Sequence, residues 1–143
     1  MSRRKARIAV LQALYADANV NEIEEHFTPL KEKDKIFAKD LFDGVKSHQE
    51  HIDSIIECYS TKKWQNLYIV DKNILRLAIY ELLFCKETPY KVVINEAIEL
   101  AKTFGGENAR AFINAILDKV KKDERKINSR SGHQGERSDI QFG

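Results

Sequence analysis

Helix breakers and crosslinks are scarce in this chain. Only two prolines and six glycines interrupt 143 residues, which argues against a fibrous or disordered chain and for a helix-rich globule. Two cysteines exclude a disulfide scaffold. Cys58 and Cys85 each follow apolar residues, as reduced core thiols would, and point to the cytoplasm. No apolar run approaches the roughly 20 residues a membrane helix needs. Strand-type alternation is also missing. The head SRRK before IAVLQALYADA loosely mimics a secretory leader, but Gln12 and Tyr15 interrupt it and its apolar period is helical.

What is present is apolar and charged in nearly helical rhythm. Apolar residues make up 43% and charged residues 32%, enough for one domain with a sizeable core. The net charge of +2 hides an uneven distribution. Residues 1–16 carry four cations and no acid, residues 17–60 carry eleven acids against five lysines, and the remainder is positive again. A polyanion is drawn to the ends of the chain and repelled by its middle.

The spacing predicts an all-α bundle of six or seven helices. In the first helix Ile8, Leu11 and Tyr15, with Val10 and Leu14, form the inward stripe, and Arg4 and Arg7 emerge at its edge. A polar connector containing Asn19 and Asn21 leads to a second helix from about Lys31 to Lys46, with Ile36, Phe37, Leu41, Phe42 and Val45 on its apolar face. Ser47 and Glu50 read as a capping box for a third, which buries Ile52, Ile55, Ile56 and Tyr59. STKKWQNLYIVD reads as a break with one short turn. Asp71 then caps NILRLAIYELLF, apolar nearly all round and so the central helix. Thr88-Pro89 opens the next, which Gly105 ends. The last runs from about Glu107 to Lys122 and buries Phe112, Ile113, Ile116, Leu117 and Val120. Residues 124–143 lack any period and read as a disordered tail.

Catalytic and metal signals are poor, and no cofactor is implied. His48 and His51 are three apart as HQEH, which is not a zinc pattern, and read as solvated surface histidines. Gly105-Gly106 lacks the Lys-Ser/Thr of a phosphate loop and reads as a helix end and tight corner. The basic arm is the stronger signal. A helix N-terminus already carries about half a positive charge, so cations there cost roughly 0.3–1 kcal/mol each unless an anion answers them. Tyr15, Phe104 and Phe112, at helix ends, are candidate stacking platforms for unpaired bases, with core packing as the competing assignment.

The order R-R-K-A-R-x-x-x-L-Q-A-L-Y, then VDKNILRLAIYELLF, then PYKVVINEAIELAKTFGGENARAFINAILDKV, resembles the bacterial NusB family over roughly residues 3–122. The resemblance implies two small helical bundles packed together and no enzymatic activity. It implies pairing with NusE, a ribosomal small-subunit protein, and joint binding of the boxA element of nascent RNA. This assembly helps RNA polymerase resist termination, notably on ribosomal RNA operons. By position, Arg3, Arg4, Lys5 and Arg7 match the RNA-contacting arm, and Asn108, Arg110 and Phe112 fall in the RNA-facing start of the last helix. Tyr15 and Asp71 match positions near the partner side. Departures are a short arm with fewer arginines, a neutral Asn108 where an acid occurs, and Ala115 where glycine is common.

Four phosphate contacts give a single-strand salt slope near −3, a modest affinity that a second protein would have to reinforce. Two other classes remain open. One is the RNA-recruiting accessory domain of ribosomal RNA cytosine methyltransferases, which needs a separate methyl-donor domain. The other is a protein-interaction bundle with an inert arm. A homodimer that hides the RNA surface is a further expectation.

Overall fold

The computed structural model describes residues 2–19 and 21–124. The described residues form seven α-helices: α1 Ser2–Tyr15, α2 Ile23–Phe27, α3 Glu32–Ser47, α4 Gln49–Tyr59, α5 Ile69–Phe84, α6 Tyr90–Phe104 and α7 Ala109–Lys122. A single 3-10 turn, Trp64–Asn66, lies between α4 and α5, and no strand occurs among the described residues.

The apolar circumference of α5 makes it the axis of the molecule. From Ile74 to Leu83 only Arg76 escapes full burial, and α1, α3, α4, α6 and α7 all pack against this helix. The α1 helix joins α2 and α3 in one group, and α6 joins α7 in another, with α5 common to both. Gly44 on α3 permits its approach to α5. A Cβ built there would lie 2.0 Å from a ring carbon of Tyr80 on α5, so only glycine admits that ring.

Several expectations about helix faces change. The inward arc of α1 is built on Ala6, Arg7, Val10 and Ala13 rather than on Tyr15, which is 62% exposed. The five-residue step from Val10 carries Tyr15 about 140° round the helix, off that arc. Ile36 of α3 is likewise exposed, and Ala38 lies inside in its helix. The thiol of Cys85 is buried, which pushes its pKa up to about 12, but Cys58 is exposed rather than in the core.

Helix ends also differ. Ser47 is the last residue of α3, not a cap, because the backbone stays helical until His48. The His48 amide and its Nδ1–H both donate to the Gly44 carbonyl, each at 3.0 Å, and no capping box forms. The His48 ring packs 4.3 Å from Phe84, centroid to centroid, so this histidine is half-buried rather than solvated. His51 is half-buried too, and desolvation lowers its pKa.

In the connector after α1, Asn19 Oδ1 accepts from the amide of Glu22, whose carboxylate accepts from the amide of Asn19. This reciprocal exchange is a capping box one turn ahead of α2. Asp71 sits inside the first turn of α5, whose N-cap is Tyr68, so it does not cap the helix. Pro89 is itself the cap residue of α6. Glu124, assigned by sequence to the tail, is buried and paired with Lys86 and Lys121, whereas 125–143 lie outside the described residues.

Candidate nucleic-acid interface

The cationic pole of α1 has no acid in its first turn, and two of its four charges are answered from elsewhere in the fold. Arg7 is 4% exposed, not at the solvent edge. Its Nε donates to Glu81 Oε2 at 2.7 Å and its Nη2 to Oε1 at 2.8 Å, a fork-to-fork pair with α5. One turn earlier Arg4 repeats the geometry with Glu96 of α6, at 2.9 Å for both bonds. Here the guanidinium is exposed. The Arg4 hydrogen bonds hold the Glu96 carboxyl below the usual glutamate range. Arg3 takes no carboxylate and lies 4.1 Å over the Phe37 ring, while Lys5 is exposed and enters no ion pair among the described residues. The arm therefore offers Arg3, Lys5 and the outer face of Arg4 to solvent, and keeps Arg7 inside.

A second group gathers where the α4–α5 connection meets the start of α7. Gly105 ends α6 in extended geometry, with φ at −77°, so positive φ is not what requires glycine. Close approach is. A Cβ there would lie 2.7 Å from the Ala101 carbonyl oxygen and 2.8 Å from Ala109 Cβ. The Gly106 amide donates to Asp71 Oδ1 at 3.1 Å, which fixes the corner to α5. Burial raises the Asp71 pKa, against that hydrogen bond and the charge of Lys62. Asn108 follows in the left-handed region, φ 65°, and is exposed along with Arg110. Phe112 is half-buried, with Lys62 Nζ 4.6 Å from its ring centroid.

Beside it, Lys72 Nζ is 4.2 Å and the Arg76 guanidinium 5.5 Å from the Trp64 ring. Asp53 pairs with Arg76 at 2.8 Å. Sequence spacing did not single out Lys62, Trp64 and Lys72; for the first two the signal lies in the KKW of the connector, two cations beside the sole tryptophan.

The predicted site residues thus fall into separate places. Arg3, Arg4 and Lys5 share the pole of α1; Asn108, Arg110 and Phe112 share the entry to α7. Tyr15 stands at the far end of α1, roughly 18 Å from Arg3 at 1.5 Å per residue. Asp71 is internal, 6% exposed, and serves the corner beneath Asn108. Phe104 packs half-buried against the core.

A family model described as the NusB family matches residues 4–122. The chain belongs to the NusB family. Among similar relatives, the transcription antitermination protein NusB of Tolumonas auensis is 45% identical over 84% of this chain and 92% of its own length. That of Thermodesulfovibrio yellowstonii is 41% identical, over 87% and 94%. The structure of T. maritima NusB matches with a TM-score of 0.77 and 39% identity, covering 86% of this chain and 92% of that one. A chain from a crystal structure of antitermination factors NusB and NusE in complex with dsRNA matches with a TM-score of 0.71 and 29% identity, covering 85% and 93%. The expected all-α NusB fold is therefore found, and no helix of the described residues is long and apolar enough to cross a membrane.

Proposed function

We propose that this chain is a transcription antitermination factor, not an enzyme. It binds boxA-type RNA jointly with NusE and supports ribosomal RNA transcription as part of an RNA polymerase antitermination complex in the cytoplasm. The observation that carries this reading is the exposed cationic pole of α1, set on a fold matched by a NusB chain from a NusB–NusE–RNA assembly.

In this reading Arg3, Arg4 and Lys5 contact phosphates, Asn108 and Arg110 line the RNA at the entry to α7, and Phe112 stacks on a base. Tyr15, exposed at the far end of α1, contacts NusE. Two residues act from inside. Arg7 fixes the arm to α5 through Glu81, and Asp71 fixes the corner that presents Asn108.

With three arm contacts rather than four, the single-strand salt slope is about −2, a weak hold that a second protein must complete. The test is titration of boxA RNA and a scrambled RNA, with and without NusE, at two salt concentrations. Molar mass is measured alongside to detect a homodimer. Tighter binding of boxA RNA when NusE is present is expected; equal affinity for the scrambled RNA in both arms overturns the reading.

A further inference from the structure

We infer that Glu96 is an internal competitor for RNA: its carboxylate occupies the fork of Arg4 that a phosphate would take, and so sets the affinity of the arm. The inference rests on the reading of the arm as an RNA contact.

A guanidinium fork receives carboxylate and phosphate with the same two-bond geometry, so the two anions exclude one another at Nε and Nη2. Both of those donors on Arg4 are taken by Glu96, at 2.9 Å. Whether such a pair can exchange depends on water. The Arg7–Glu81 pair is sealed, its side chains 5% and 2% exposed, and no incoming phosphate reaches it. The Arg4 side chain is 46% exposed over a Glu96 that is only 12% exposed, so the cation faces solvent while its anion backs onto the protein. A phosphate arriving from outside meets the open Nη1 edge of Arg4 first, and takes the Nε–Nη2 fork only when the carboxylate behind it leaves. The Arg7 charge also acts on the Glu96 carboxylate and stays in place through that exchange. Among the described residues Arg3 and Lys5 meet no carboxylate, so of the three exposed arm cations Arg4 is the one with an internal competitor.

The test is a double-mutant cycle read by boxA RNA affinity in the presence of NusE. Glu96→Gln, which keeps the shape and removes the charge, is expected to tighten binding about threefold, the range an exposed charge pair supports. In an Arg4→Ala background the same change is expected to do nothing. Glu96→Asp keeps the charge but withdraws it from reach, and tightening there too shows that contact rather than overall field is responsible. If Glu96→Gln does not fold, by circular dichroism, the aspartate variant alone carries the cycle.

Unchanged or weaker binding of a folded Glu96 variant overturns the inference. So does equal tightening with and without Arg4. Loss of boxA binding by the unaltered chain is a different failure. It removes the reading of the arm and this inference with it.

Discussion

The head of α1 and the connection between α4 and α5 both gather cations, yet they hold them differently. At the first, two of four arginine and lysine side chains meet carboxylates in bidentate pairs. At the second, Lys62 and Lys72 meet aromatic faces, while Arg76, over the same tryptophan as Lys72, also takes the Asp53 carboxylate. A carboxylate cancels the charge it binds, while a ring orients a cation and leaves its charge available to a third party. Counting cations along the chain therefore overstates the α1 pole and understates the connector.

The largest way to break this comparison is to unpair the sealed bridge. Arg7→Ala or Glu81→Ala strands one buried charge and is expected to cost about 3–5 kcal/mol, seen as a large fall in thermal midpoint. Replacing both residues with methionine should recover most of that loss. Next, if the aromatic end serves RNA, Trp64→Ala and Phe112→Ala each lower RNA affinity by about 1–3 kcal/mol per stacked base, measured by titration at fixed salt. Unchanged affinity would leave those rings as packing groups.

A smaller effect belongs to the uncaptured arm cations. Arg3→Ala with Lys5→Ala should leave stability within about 0.5 kcal/mol and reduce the salt slope by about 1.4. The smallest is acid sensitivity. The Glu96 carboxyl sits below its usual range because of Arg4, so the pair stabilises the fold above the unfolded glutamate pKa. That contribution disappears as pH falls through the lower folded value. Midpoints measured across the acid range should show this limb in the unaltered chain and lose it in Arg4→Ala.

Much of the fold was legible because it depends on local period. The apolar circumference of NILRLAIYELLF identified the central helix, and Ile113, Ile116, Leu117 and Val120 marked the inner face of α7 correctly. The site was less legible because its decisive contacts are distant in sequence. A helical wheel ranks Arg7 as a surface residue. It cannot know that Ala6 and Ala13 narrow the gap beside it, or that Glu81, 74 positions away, waits inside. The visible clue was Glu81 itself, an acid in the middle of an apolar helix. The same blindness applied to Asp71, which looked like a cap from its neighbours and instead receives the Gly106 amide. The short α2 was legible in principle, since Asn19 and Glu22 have capping-box spacing, but a helix of five residues gives no period to notice.

The separation between each arginine and its acid also orders events during synthesis. Arg4 and Arg7 leave the ribosome before their partners, which follow 92 and 74 residues later. Until then the nascent arm carries those two charges without their carboxylates. Completion of α5 and then α6 supplies them. Products truncated before Glu81 would accordingly show both arginines to solvent, and the masking of the arm is acquired only once α6 has folded.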